Sequence, residues 1–425
     1  MVGLVPLQLM VLLVTVLPRL TWPHDVKERQ VQQPPLQPSD YPEDTSWPSQ
    51  SQCAFAHLHP RRYAAYHLPP SVDHLVTSIT IDGILDEKVW ADVPWSEPFQ
   101  DIQGPQFWSQ PWFATKFKLR YDQQFLYVGA YLEETEVWAN VSKRNEIIFH
   151  DNDFEVFVDP DGSTHNYKEF ELNARNATWN LWLNRPYRDG GHENSTRVDP
   201  QYGFDMLNGA ERLHYWTAEI ALPLSELARH SKAQVPPAAN SFWRINFSRV
   251  EWPVRVVYHK QSGKQHYEKK PGLKEENWVW STQNAVDMHR PEWWGYLQFR
   301  PRDETPPPLM DDQRTMEDSV PFDPEWGVRY VSFQYYYAQH AYHKLSGSYT
   351  SSLEQLLPHF TSREALECME LFDTSVTNNS FSAQIGLREK AVDFDGIAQY
   401  VASIEDDGHI EVEKAGFASP IAVIE

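Results

Sequence analysis

Cysteine is almost absent from this chain. Its 425 residues hold two, Cys53 and Cys368, so at most one bridge can form. In an oxidising compartment that bridge would tie the N-terminal region to the C-terminal one, and two free buried thiols are the alternative. Basic charge is also short, with 37 Lys and Arg against 59 Asp and Glu, a net charge of −22. That balance excludes a nucleic-acid backbone or an anionic membrane surface as partner. Long apolar runs are missing beyond the first turn of the sequence. The run from Leu4 to Leu17, broken by Pro6, Gln8 and Thr15, is too short for a comfortable membrane span and reads as the core of a signal peptide over 1–21. No Lys or Arg precedes it and no small-x-small cleavage site follows, so an uncleaved anchor is the competing reading. There is no G-x-S-x-G, H-E-x-x-H or G-x-G-x-x-G pattern, and no internal repeat. The usual signatures of serine hydrolysis, zinc proteolysis and dinucleotide binding are therefore missing.

Aromatic residues, by contrast, are abundant: 14% of the chain, with 17 Trp. Tryptophan in such quantity fills a core or stacks on a ligand. Sequons at Asn140, Asn176, Asn194, Asn246 and Asn378 agree with a secreted, extracellular protein.

Composition divides the chain. After the leader, 22–70 is polar and Pro-rich, and reads as a disordered spacer. Residues 71–300 read as strands with Pro, Gly, Asn and Asp between them, the mark of an antiparallel β-sandwich. Three consecutive prolines sit in a linker over 301–314. Residues 315–425 read as a small α+β unit. It has helical spacing at Val328, Val331, Tyr335, Ala338 and Tyr342, a second short helix over 352–357, and a hairpin turn at Asp407-Gly408.

The chemistry concentrates in "DNDFEVFVDPDGSTHNYKEFELNARNATWNLWL", Asp151 to Leu183. Alternation sends Phe154, Val156 and Val158 to one face and Asp153, Glu155, Phe157 and Asp159 to the other. The next strand sends Glu169, Glu171 and Asn173 outward. The third assigns Trp179, Leu181 and Leu183 to the core, with Asn180 and Trp182 outside. In "WRINFS", Arg244 and Asn246 are outside. If these strands are neighbours, one face presents Glu155, Glu171, Asn173, Trp182, Arg244 and Asn246. Planar carboxylate, amide and guanidinium groups bind vicinal hydroxyls bidentately, and an aromatic ring stacks on the apolar face of a pyranose. A solvated outer sheet face is the plain alternative. Asp151, Asp153 and Asp159 offer a structural calcium site as a second reading of the acidic residues, and no other cofactor is expected. Glu155 and Glu171 would also serve a glycoside hydrolase as paired carboxylates.

At these residues the sequence resembles a known family. "ITIDGILDEKVWADVPW", Ile79 to Trp95, resembles the entry strand of family 9 carbohydrate-binding modules, with their D-G-x-x-D-E-x-x-W signature. "LRYDQQFLYVGAYLEE", "HDNDFEVFVDPDG", "YWTAEIALPLSEL" and "NWVWSTQNAVDMHRPEWWGYLQF" look like its later blocks. The resemblance implies a β-sandwich that binds sugar chain ends between two Trp rings, aided by a Glu. That Glu falls on Glu155. The family's Arg falls on Glu171, and its Asn on Asn173. The first ring falls near Phe149 and the second near Met288, with Trp280 and Trp293 as substitutes. The basic position is acidic here and one ring is lost. The expectation is a secreted carbohydrate-binding protein, linked to carbohydrate catabolism, and a binding module rather than a catalyst. A glycoside hydrolase and a non-binding structural sandwich are the alternatives. A glycan on Asn246 would obstruct the groove.

Overall fold

The computed structural model describes residues 52–69, 79–106, 110–191, 196–197, 205–207, 214–306, 316–393 and 396–415. All lie within one compact unit, Gln50–Glu425. The expected leader, the spacer as far as residue 51, and Asn194 lie outside the described residues.

The strands run in chain order as β1 (Arg62–His67), β2 (Gln100–Asp101), β3 (Thr115–Tyr121), β4 (Phe125–Glu133), β5 (Asp153–Asp159), β6 (Tyr167–Asn173), β7 (Thr178–Leu183), β8 (Thr196–Arg197), β9 (Asp205–Leu207), β10 (Tyr215–Pro223) and β11 (Phe242–Glu251). β12 (Val254–His259) and β13 (Lys264–Lys269) form a separate hairpin, followed by β14 (Glu276–Val279) and β15 (Gly295–Phe299). One curled sheet has the order β8-β7-β6-β5-β11-β15-β1-β3-β4-β10-β9, with β14 branching from β11 and β2 pairing onto β14. It closes around an aromatic core in which Phe117 stacks on Phe247 at 3.8 Å and the Trp280 ring meets Phe117 edge-on at 5.1 Å. The short helices α1 (Lys88–Ala91) and α2 (Leu224–Leu227) bury Trp90, Leu224 and Leu227 in that core. This is the mainly β, sandwich-like architecture expected.

The seam of the sheet corrects the reading of 22–70 as spacer. β1 lies inside that range and pairs in parallel with β15 through Arg62–Ala65 and with β3 through Tyr66 and His67. Its residues are buried on both faces, so it carries no period-2 alternation for a sequence reading to find. β15 approaches so closely that a Cβ on Gly295 would stand 2.2 Å from the Trp280 ring and 2.8 Å from the Arg61 carbonyl.

The C-terminal unit lays α3 (Trp326–Ser346) across the antiparallel sheet β16 (Met369–Val376), β17 (Phe381–Leu387), β20 (Tyr400–Glu405) and β21 (Ile410–Lys414). The pair β18 (Ala391–Asp393) and β19 (Gly396–Ala398) stands apart. The helical spacing read from the sequence is this helix. It ends at Gly347 (φ 78°), whose N–H donates to the His343 carbonyl, a left-handed stop that glycine adopts without strain. α4 (Leu353–Leu356) and α5 (Arg363–Cys368) follow, each capped by a serine, Ser352 and Ser362. Cys368 is bonded to Cys53 across 315 residues. The Asp407-Gly408 turn joins β20 to β21, with Gly408 at φ 80°.

α3 also reaches the sandwich. Arg329 Nη1 donates to the Gly162 carbonyl at 2.7 Å, and a Cβ on Gly162 would meet its guanidinium at 3.3 Å. Tyr337 is hydrogen-bonded to Glu292, which takes both Nη atoms of Arg188 at 3.0 and 2.9 Å. The helix thus anchors the segments around 188 and 290.

Candidate functional site

β5, β6 and β7 are antiparallel neighbours, with Glu155 opposite Glu171 and Glu171 opposite Trp179. Their outer face floors a cleft of about 570 Å³. Glu155, Glu169 and Glu171 stand on the floor beside Trp179 and Leu181. Two segments wall it. One carries Ile147 and Phe149, the other Val286, Met288 and His289, with Tyr187 beside it. Phe149, Tyr187 and Val286 are exposed.

Both walls are fixed through their backbones. The Trp252 indole N–H donates to the Phe149 carbonyl, and the Trp294 indole N–H to the Met288 carbonyl, each at 2.9 Å. Below the first wall, fully buried Arg249 binds Glu134 at 3.0 Å and Glu251 at 2.8 Å. Asn152 donates to the same two carboxylates, at 3.1 and 3.0 Å. At the second wall the His289 ring bonds Tyr167 Oη at 2.8 Å, and the Tyr187 ring stands edge-on to it at 4.5 Å.

The floor is acidic. Among the described residues lining the cleft there is no Lys or Arg. Burial, then the neighbouring Glu169, pushes Glu155 up to about 8. Burial, then Glu155 and Glu169, raises Glu171 well above the usual carboxylate range, and burial raises Glu169. Burial and then the Arg188 charge lower His289 to about 3, so its ring is neutral at pH 7. The cleft therefore offers carboxyl groups able to donate and accept, a neutral imidazole, and ring faces at the rim. This donor set suits polyhydroxylated ligands.

Residues 81–238 match the family model described as carbohydrate family 9 binding domain-like. Over this stretch, which is less than half of the chain, the sequence is similar to family 9 carbohydrate-binding domains. The match ends before β11, although β11, β14 and β15 are hydrogen-bonded into the same sheet. Two solved structures of a family 9 carbohydrate-binding module from Caldicellulosiruptor kristjanssonii are similar to this chain. The one in complex with cellotriose is 16% identical over 57% of this chain and 96% of that one, with a TM-score of 0.36. The one in complex with glucose is 16% identical over 58% and 100%, with the same TM-score. No curated protein matches the chain.

Within the family 9-like sheet, the expected site residues separate. Glu155, Glu171, Phe149 and Met288 meet at the cleft. Asn173 does not. Its Nδ2 donates to the Val141 carbonyl and to Asp151, and its Oδ1 takes the N–H groups of Arg175 and Ala177. Asp151 Oδ2 is likewise spent on the N–H groups of Asn140 and Val141 and on Asn173, so these two residues clamp a loop. Trp182 corrects the phase assigned to β7. The pairing sets Trp179 and Leu181 on the face of Glu171 and turns Trp182 to the opposite face, where it stacks on His230 at 4.4 Å. Arg244 is buried under Glu292, Trp294 and Tyr296, to which it donates. Asn246 is fully buried and exchanges hydrogen bonds with the Ser281 backbone, which leaves no room for a glycan. Trp280 belongs to the core, and Trp293 packs on Trp326 and Tyr330 of α3.

Of the three aspartates considered for a metal, Asp153 alone is grouped with other carboxylates, Glu155 and Glu171, among the described residues. Asp159 lies at the far end of β5 and accepts from the Thr164 N–H. Asn140 and Asn378 are exposed and Asn176 is half-buried. Sequence reasoning passed over Glu169, Trp179, Tyr187 and His289. Glu169 was legible once Glu171 was placed, because it shares that strand's face; Trp179 was hidden by the phase read for β7, and Tyr187, in a single 3-10 turn, and His289, in a loop, have no period to read.

Proposed function

We propose that this chain is a secreted carbohydrate-binding protein, linked to carbohydrate catabolism, that takes a sugar into the cleft over Glu155 and Glu171. The observation that carries this reading is the cleft itself: an acidic floor on the family-matched strands, with ring faces of Phe149 and Tyr187 exposed at its rim. Carboxyl groups on the floor would bind hydroxyls in pairs, while the rim rings cover the apolar face of a pyranose.

Geometry favours binding over hydrolysis. Hydrolysis needs two carboxyl groups that flank the glycosidic bond. Glu155 and Glu171 are directly opposed on adjacent strands, with oxygens within 4.8 Å. Both rise from the same floor, so neither reaches the far side of a bound sugar.

Titration of the purified full chain with glucose, cellotriose and a panel of oligosaccharides, followed by tryptophan fluorescence, tests the reading. A saturable change without product is expected, weakened at least ~10-fold by Glu155→Ala through loss of its hydrogen bonds to the sugar hydroxyls. A folded protein that answers to no sugar would sink the proposal. Shortened sugars would turn it toward the hydrolase.

A further inference from the structure

Carboxylates buried together need either protons or a cation. Asp153, Glu155 and Glu171 are at most 5% exposed, and one oxygen from each lies within 4.8 Å of the others. A point among three such oxygens is no more than about 2.8 Å from each, close to the ~2.3–2.6 Å of calcium–oxygen bonds. Acidic clusters alone are common, but Asp153 adds an observation of a different kind. It is completely buried, its Oδ1 accepts the Val250 N–H at 2.9 Å, and its Oδ2 has no hydrogen-bond partner. A buried carboxylate oxygen without a donor has given up its solvation with nothing in exchange. The nearby cation, Arg249, is engaged by Glu134 and Glu251, and the cleft lining supplies no other Lys or Arg.

We propose that Asp153, Glu155 and Glu171 hold a divalent cation at the base of the cleft, and that hydroxyls of the bound sugar complete its coordination. The ligands are all hard oxygens, with neither sulfur nor imidazole among them, which selects calcium over zinc or copper. Calcium takes six to eight oxygens. Three carboxylates provide three to six, and two of them, Glu155 and Glu171, line the cleft, from which water or vicinal hydroxyls would fill the remainder. The second half of the proposal rests on the sugar-binding reading; the first does not.

The test uses the full chain stripped of metal by a chelator. Terbium is titrated in, its luminescence sensitised by Trp179 on the same floor, and calcium is then added in competition. One saturable site is expected. Glu171→Gln and Asp153→Asn should each weaken it at least ~10-fold, because affinity follows the ligand charge. Asp161→Asn, in the β5–β6 turn, should leave it unchanged. Glu171→Gln relieves repulsion, so its metal-free form should melt no lower than the parent, which separates a lost ligand from a lost fold. No saturable binding by folded protein, or binding unaltered in Glu171→Gln, overturns the site. Sugar titrations are then run with excess calcium and with chelator. Loss of sugar binding in chelator supports the shared coordination, and equal binding in both overturns it while leaving the sugar site standing. Calcium binding without any sugar response removes the sugar reading and upholds the cation.

Discussion

His289 shows how burial sets the state of a single residue in the cleft. Its ring is enclosed by Tyr167, Phe157 and Tyr187, with Glu169 3.7 Å from Nε2 and Arg188 and Asp287 close by. The folded value of about 3 lies below that of an exposed histidine, ~6.5. Between those values the unfolded chain binds a proton that the folded chain refuses. The contribution of His289 is therefore complete above about pH 6.5 and is lost as pH falls toward 3, at up to ~1.4 kcal/mol per unit. The raised carboxylates act with the opposite sign, so the difference between parent and variant is the useful quantity. Thermal melts of the parent and His289→Gln between pH 7 and 4 should converge as pH falls. Parallel curves would mean that the ring is charged in the fold.

Strand phase decides which side chains a ligand can meet. β5, β6 and β11 were legible from alternation because polar residues occupy one face and apolar residues the other. β7 was not, because tryptophans stand on both of its faces, Trp179 over the cleft and Trp182 against His230. Only its pairing with β6 resolves the phase. In fluorescence titrations Trp179→Ala should therefore lose most of the sugar response and affinity, by roughly 1–3 kcal/mol for a stacking ring, whereas Trp182→Ala should retain both. The reverse result would restore the face read from the sequence. Asn173, Asp151, Arg244 and Asn246 share the polar faces but are consumed by backbone groups, and composition gives no sign of such use. The helix α3 was readable from its period; its grip on Glu292 and Gly162 was not, since contacts between distant segments leave no local signature.

Across the whole molecule, the family-matched segment 81–238 is shorter than the sheet to which it contributes. β1, β11 and β15 lie outside the match, and between them supply the seam and the neighbour of β5. Expressed alone, 81–238 should show neither cooperative melting nor dispersed amide resonances, because β5 and β3 would present bare edges and half a core. A well-dispersed spectrum would show that the matched segment is self-sufficient. Within the full chain, Cys53–Cys368 ties the approach to β1 to the end of α5, so the C-terminal unit and the sandwich share a covalent frame.

The parallel pairing of β1 with β15 has a bearing on how the protein is made. Arg62 meets Tyr296, and Ala65 meets Phe299, so one of the earliest strands to leave the ribosome waits for one of the latest of its sheet. At roughly 5–20 residues per second that interval is on the order of ten seconds or more. Throughout it, Arg62–Ala65 lack their β15 partner, and only Tyr66 and His67 have β3 to pair with. Nascent chains of this protein should consequently depend on chaperones until residue 299 emerges, and a ribosome stalled before that point should carry a β1 that proteases can still cut.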